Sequence, residues 1–556
     1  EKPAAKGDGQ RMKVMTAAKA RVEWMEREGV DKGFCVPGES YLPVLDALYD
    51  EESIQVISAR HEGGAAFMAE GYAKAALKPG VVLATRAVGA SNLAIGVHTA
   101  YQDSTPMVVF LGQVSSKFRG REGFQDVDLD RMFQHIAKWA VEINDAERVP
   151  EIVGRAFRIA QTGRPGPVVV SLPEDVLPAE AEMHFGPVTT IPRPTPSDNE
   201  LIQVNSLLRT CEKPLIIAGG GIKSARAEAA LLRFANAYQL PVAVSFRRHD
   251  VFPHDHPLFV GHLGLGTAKS ILDTVRQADL ILAVGTRLSE VTTQDYSIIS
   301  PEQKLIHVDI DFDTLGKVYS PDIGIVADAK EALTALLNLE LDVKWRDWAE
   351  RRRKAYEEAS ALTVSDDDAI NKHVIHIMAN TVRKDSLITN DAGNFAGWLH
   401  TYYPFREEHT YIGPTSGAMG YGMPAAIGAK LADPNKTVIS LSGDGGFMMT
   451  AQELETAVRY QIPIICLVFN NNMYGTIRMH QEIHYPKKVI ATDLGDVSYK
   501  DLALSMGAEG YVVDDPSGFE QALAKAVQNN KPTLIEILTD REQISVSKTI
   551  EQLRNK

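Results

Sequence analysis

At 556 residues, with 44 % hydrophobic and 23 % charged side chains, the chain has the composition of an ordinary globular protein of roughly two to four domains. Its net charge of −14 argues against a nucleic-acid surface, and no apolar run is long enough to span a bilayer. The opening EKPAAKGDGQRMK lacks the apolar core of a secretory signal, and Cys35, Cys211 and Cys466 lie far apart in apolar surroundings, so buried thiols in a reducing cytoplasm are expected rather than a disulfide framework.

After a polar first dozen residues comes a helical pattern, then GFCVPGES, where an apolar segment ends in a Pro-Gly turn. IQVISA, VVLAT, PMVVFLG and PVVVSLP read as further strands with helical patterns between them, the grammar of a parallel sheet covered on both faces. This first block covers residues 1–185, and GPVTTIPRPTPSDNE, with four prolines, reads as a linker. A second block, 198–345, carries the strands PLIIAGGG, PVAVSF, LILAVGT, KLIHVDID and IGIVAD. The charged stretch WRDWAERRRKAYEEASALTVSDDD reads as a helix and tether leading outward. A third block, 366–556, carries SLITNDAG, TVISLSGDG, PIICLVFNNN and TLIEIL. The expected fold class is α/β, with three doubly wound parallel-sheet domains.

The third block holds the sharpest chemical signal. In open parallel sheets ligands sit beyond the carboxyl ends of the strands. TVISLSGDG and PIICLVFNNN both place polar residues there, and Asp444 and Asn471 are 27 positions apart, room for one crossover helix and one strand. An acid, an amide oxygen and a backbone carbonyl make a hard-oxygen site suited to Mg²⁺ or Ca²⁺. Mg²⁺ keeps few protein ligands and favours phosphate oxygens, so a diphosphate is expected beside it. Gly443, Gly445 and Gly446 allow close backbone approach, and the helix N-terminus favours the negative charge. The competing reading is a turn in which Asp444 caps a helix; GDG, a crossover helix and then NNN together are more specific than such a turn.

This stretch resembles the thiamine-diphosphate motif, and from about Val14 to Ile544 the chain is similar to the acetolactate synthase-like family. The resemblance implies a pyrimidine-binding domain, a central domain and a diphosphate-binding domain, in that order. It implies metal ligation by Asp444, Asn471 and the backbone carbonyl of Met473, with Tyr474 and Gly475 following in the same motif. Thiamine diphosphate works through an activated thiazolium carbon, and in the family a glutamate of the pattern R-H-E-x-x-A shares a proton with the pyrimidine ring. Glu62, in ARHEGGAAFMAEG, stands at that position, where helix capping is the alternative. In TSGAMGYGMP, Gly417 matches the residue whose carbonyl meets the pyrimidine amine, and Met419 the apolar residue that keeps the cofactor bent. Gly393, Asn394 and Phe395 of NDAGNFAGW match the diphosphate loop. A homodimer or dimer of dimers is implied, because relatives build each site from two subunits.

The reaction is less sharply marked. Phe124 and Gln125 match a substrate-side Phe-Gln pair, and Gln125 is a candidate donor to a developing alkoxide. Arg86, Ala87 and Val88 replace the Ser-Gly-Pro of the family loop; Arg86 suits a substrate carboxylate or an ion pair. Thr476 and His480 stand where biosynthetic acetolactate synthases carry Met and Trp, and Glu174 replaces a family lysine. In the central block Gly219–Gly221 follow a strand and Arg164 matches a flavin-contacting position, but GTRLSE lacks the acidic pattern that accompanies FAD. FAD, ADP and no nucleotide are the alternatives. The expected activity is carboligation or decarboxylation of a small 2-oxo acid; the alternatives are simple 2-oxo-acid decarboxylation and cleavage of a 2-hydroxyacyl or oxalyl thioester of coenzyme A. A cofactor-binding regulator without catalysis is a further class, opposed by the intact Glu62, Asp444 and Asn471. No nucleic-acid or membrane partner is expected.

Overall fold

The computed structural model describes residues 12–555, so most of the polar opening segment lies outside the described residues. The chain divides after Pro192 into two compact units. The first holds β1 (Lys13–Thr16), β2 (Lys32–Cys35), β3 (Gln55–Ser58), β4 (Gly80–Thr85), β5 (Met107–Gln113), β6 (Trp139–Glu142), β7 (Pro167–Pro173) and β8 (Glu180–Met183). Six of these form a parallel sheet in the order β3-β2-β4-β5-β7-β6, while β1 pairs antiparallel with β8. Every residue of β5 and β7 is buried. Continuous apolar runs of this kind are what a sheet covered on both faces requires.

The second unit holds two such sheets. The central one consists of β9 (Pro214–Ala218), β10 (Val242–Val244), β11 (Phe259–His262), β12 (Leu280–Val284), β13 (Lys304–Asp309) and β14 (Ile323–Val326), ordered β11-β10-β9-β12-β13-β14. The third consists of β15 (Leu387–Asn390), β16 (Tyr411–Ile412), β17 (Val438–Gly443), β18 (Ile465–Asn470), β19 (Glu509–Val513) and β20 (Thr533–Leu538), ordered β16-β15-β17-β18-β20-β19. All pairings in both sheets are parallel. The three sheet domains and the α/β class are as the sequence indicates. Strands β6, β11, β16 and β19, absent from the sequence reading, all lie at sheet edges. An edge strand packs against one neighbour only, so it needs no long apolar run to announce it.

The charged segment expected to lead outward instead packs inward. Helix Arg346–Ala359 is preceded by buried Trp345, whose indole N–H donates to the Tyr238 carbonyl at 2.9 Å. The Trp348 indole donates to the Pro214 carbonyl at 2.9 Å, and Arg353 Nη1 donates to the carbonyls of His254, His256 and Phe259. Two aromatic anchors and a multiply bonded guanidinium outweigh the charged outer face. The proline-rich linker leads into helix Asp198–Thr210, which starts with a reciprocal capping box between Ser197 and Glu200. Among the described residues no helix is long and apolar enough to cross a membrane.

In each sheet the chain builds outward on one side and then on the other. The reversal falls between β2 and β4, between β9 and β12, and between β15 and β17. These are the points where doubly wound sheets form a crevice beyond their carboxyl ends.

Candidate active site

In the third sheet, β17 ends at Gly443 and Asp444 opens helix Asp444–Thr450. The neighbouring β18 ends at Asn470, with Gly443 in register opposite Phe469. The two polar ends therefore meet: the Asn471 N–H donates to Asp444 Oδ1 at 3.3 Å, and the Met473 N–H donates to Asn471 Oδ1 at 3.2 Å. Asn472 takes the left-handed conformation, φ +52°, which asparagine tolerates better than most residues. Asp444 is 2 % exposed, and its Oδ2 has no hydrogen-bond partner. Burial pushes its carboxyl up to about 6, against the pull of the Asn471 N–H. A buried, unpartnered carboxylate oxygen is costly, and a bound cation removes that cost.

Asp391 is a second buried acid at this crevice, absent from the sequence reading. It follows β15, is 1 % exposed, and accepts the Gly422 N–H at 2.6 Å on Oδ1. Its Oδ2 lacks a hydrogen-bond partner and lies 3.0 Å from where a Cβ on Gly446 would stand. Burial raises its carboxyl to about 6. The signal was there, since SLITND ends a strand in an acid as SLSGD does, but no metal-like spacing drew attention to it.

The loops expected to hold a diphosphate gather around these ends. Gly393 has φ +154°, and a Cβ there would meet the Phe395 ring at 2.6 Å. Phe395 stacks on Phe469, and a Cβ on Gly443 would touch it at 3.4 Å. Asn394 donates to the Ile544 carbonyl at 2.8 Å and accepts from the Thr476 hydroxyl at 3.0 Å. A Cβ on Gly445 would meet the Tyr474 ring at 2.7 Å, and one on Gly475 the Asn471 amide at 3.2 Å. A Cβ on Gly445 would thus clash with Tyr474, while Gly446 and Gly475 sit tightly against the side chains of Asp391 and Asn471. Gly417 is exposed at φ +70° with nothing near its missing Cβ, so its backbone is free for close approach. Met419 is half-buried in the same turn. His480 is exposed beside His484.

In the first unit, Glu62 begins helix Glu62–Ala76, whose N-cap is the His61 ring accepting the Gly63 N–H. Glu62 is half-buried, and its Oε2 accepts from Asn92 at 2.8 Å. Asn92 lies on helix Arg86–Asp103, which opens with Arg86 at φ +46°. The Arg86 guanidinium pairs with Glu174 at 2.8 Å and Glu39 at 3.4 Å and lies 5.7 Å from the Phe124 ring. Two departures from the family pattern, Arg86 and Glu174, are thus partners. Phe124 is exposed, and the half-buried Gln125 sits in a left-handed turn at φ +65°.

The glycines of the central sheet are accounted for by packing. The Gly221 N–H donates to the Gly285 carbonyl at 2.8 Å, and a Cβ on Gly221 would stand 2.5 Å from Gly285 Cα. A Cβ on Gly220 would meet the Arg248 guanidinium at 2.7 Å. Arg164, at the flavin-matching position, donates instead to Ser104 Oγ and the Tyr101 carbonyl. Contacts with Gly285 and Arg248 account for these glycines by packing alone. The third-sheet crevice, with Asp444 Oδ2 unpartnered beside Asn471, does fit a cation with a diphosphate.

Comparison with known proteins agrees with that chemistry. Residues 15–132 match the N-terminal TPP binding domain of thiamine pyrophosphate enzymes, residues 201–336 the central domain, and residues 391–537 the C-terminal TPP binding domain. The chain is 34 % identical over 545 residues to the probable acetolactate synthase large subunit of Methanocaldococcus jannaschii, covering 95 % of this chain and 92 % of that one. It is 35 % identical over 533 residues to the acetolactate synthase large subunit of Lactococcus lactis (94 % and 92 %), and 31 % identical over 547 residues to the isozyme 1 large subunit of Escherichia coli (97 % and 97 %). The chain belongs to the thiamine pyrophosphate enzymes, on their acetolactate synthase-like branch.

Proposed function

We propose that the chain is a carboligase that releases CO₂ from one 2-oxo acid and transfers the remaining acyl unit to the carbonyl carbon of a second. The observation that carries this reading is the buried, unpartnered Asp444 Oδ2 joined to Asn471 at the crevice of a thiamine-diphosphate domain. Full-length likeness to acetolactate synthase large subunits supports the reaction class. Thiamine diphosphate, when bound, would supply the electron sink for this chemistry. Asp444, Asn471 and the Met473 carbonyl hold Mg²⁺, while the loops at Gly393–Phe395 and Gly443–Gly446 receive the diphosphate. Glu62 holds a proton at the pyrimidine ring, and Asn92 keeps its carboxyl oriented. Gln125 donates to the substrate oxygen. Gly417 and Met419 position the cofactor. Residues 1–185, 198–345 and 366–556 serve as pyrimidine-binding, central and diphosphate-binding domains, and two copies of the chain form the working unit. FAD forms no part of this reading, because packing against Gly285 and Arg248 accounts for the central glycines without a nucleotide.

A second reading, simple decarboxylation, has one observation in its favour: Arg86 is committed to Glu174 and Glu39 and offers no free charge to an acceptor carboxylate. The test is to supply pyruvate with thiamine diphosphate and Mg²⁺ and measure CO₂ and acetolactate together. Both products support carboligation. CO₂ with aldehyde alone supports the second reading, and turnover of acyl thioesters with none of free 2-oxo acids overturns both.

A further inference from the structure

Away from the strand ends, three ligating side chains converge where the central sheet domain meets the edge of the third sheet. Glu228 is the first residue of helix Glu228–Tyr238, and Glu408 and His409 lie in the loop before β16. One ligating atom from each lies within 4.8 Å of the others. His409 Nε2 stands 3.9 Å from Glu228 Oε1 and 3.9 Å from Glu408 Oε1, too far for hydrogen bonds and close enough for a shared ion. Glu228 is 8 % exposed, and the oxygen that faces His409 has no hydrogen-bond partner; His409 Nδ1 is likewise buried and unpartnered. Such groups are costly unless something compensates them.

The surrounding charges leave room for a cation. Lys223 Nζ donates to both Asp250 oxygens at 2.9 Å and to the Tyr411 carbonyl at 2.9 Å, so its charge is neutralised by Asp250. Lys436 Nζ donates to the His409 carbonyl at 2.7 Å, holding that residue at φ +57°.

We propose that Glu228, Glu408 and His409 form a site for a divalent transition-metal ion, with Zn²⁺ the best match, that ties the central sheet domain to the third sheet. One imidazole nitrogen and two carboxylate oxygens suit Zn²⁺ in a tetrahedral site completed by water, whereas Mg²⁺ prefers oxygen ligands throughout. Glu408, whose side chain is 55 % exposed, supplies the small closing movement that the bond lengths need. The site shares no residue with the Asp444–Asn471 crevice.

The experiment titrates Zn²⁺ by calorimetry into the full chain carrying Asp444→Ala, stripped with a chelator and free of thiamine diphosphate, with Co²⁺ absorption as a second probe. The expected result is one Zn²⁺ per chain and a visible Co²⁺ band. Adding Glu228→Gln or His409→Asn weakens Zn²⁺ binding at least 10-fold, and His409→Asn abolishes the band. Glu408→Gln, at an exposed position, covers the case in which either of the other variants fails to fold, and is likewise expected to weaken binding. No Zn²⁺ bound by the Asp444→Ala chain, or equal affinity in the folded ligand variants, overturns the proposal.

Discussion

The first and third sheets run through the same sequence of strands, β3-β2-β4-β5-β7-β6 and β16-β15-β17-β18-β20-β19, yet finish the same crevice in opposite ways. In the first, hydroxyls rather than acids meet at the reversal between β2 and β4. Ser40 and Thr85 hydroxyls bond at 2.7 Å, and a Cβ on Gly38 would stand 2.4 Å from Thr85 Cβ. Its acid, Glu62, follows the edge strand β3 instead and has Asn92 as partner. In the third, the reversal between β15 and β17 carries Asp391 and Asp444, both buried and each with an unpartnered oxygen. The central sheet resembles the first in this respect, with Gly221 against Gly285 filling its reversal. Shared topology places a crevice, and the residues at the strand ends decide whether it becomes core or an electrostatically unfinished site.

The largest effect that tests this contrast is expected at Glu62. Glu62→Gln retains an acceptor for Asn92, so melting should barely move, while turnover falls by about 10²–10⁴-fold. Unchanged turnover would remove Glu62 from catalysis and make it a capping residue. Asp444→Asn should behave differently: calorimetry should show Mg²⁺ affinity lower by about 100-fold, and the cofactor-free protein should be more stable at pH 7 by about 1–3 kcal/mol, because a costly buried charge is gone. A loss of stability instead would mean that Asp444 is a structural cap. Gly38→Ala probes the reversal of the first sheet and should destabilise the first unit by about 1–3 kcal/mol in denaturant unfolding through overpacking against Thr85. The smallest expected effect is that of pH. Burial raises Asp391 and Asp444 from 3.8 to about 6, so the stability their protonated forms contribute to the cofactor-free protein is complete below about pH 4 and is lost as pH rises through about 6. Mg²⁺ binding has the opposite sign, needing the carboxylate, and its affinity should rise about tenfold between pH 5 and 7. A pH-independent affinity would show that Asp444 is already ionised before the cation arrives.

Much of this was written locally in the chain. Buried strands such as PVVVSLP and LILAVGT announce themselves because a strand covered on both faces must be apolar throughout. Asp444 and Asn471 were legible because GDG and NNN stand directly after two such strands. Edge strands β6, β11, β16 and β19 were not, because they are short, two to five residues each, and carry no long apolar run. The charged helix Arg346–Ala359 packs inward because Trp345 and Trp348 outweigh its many charges, whereas composition counts the charges alone. The pairing of Arg86 with Glu174 joins residues 88 positions apart, and no local pattern carries a contact of that kind.

The sequence by itself determined the three parallel sheets, their order along the chain, and the acid and amide that follow β17 and β18, since periodicity and residue type act over a few neighbouring positions. Only the tertiary structure decided which strand ends are neighbours, that Asp391 joins Asp444 as a second unpartnered acid, and that the central glycines serve packing against Gly285 and Arg248. Burial and hydrogen-bond satisfaction depend on contacts between distant segments, and those exist only once the chain has folded.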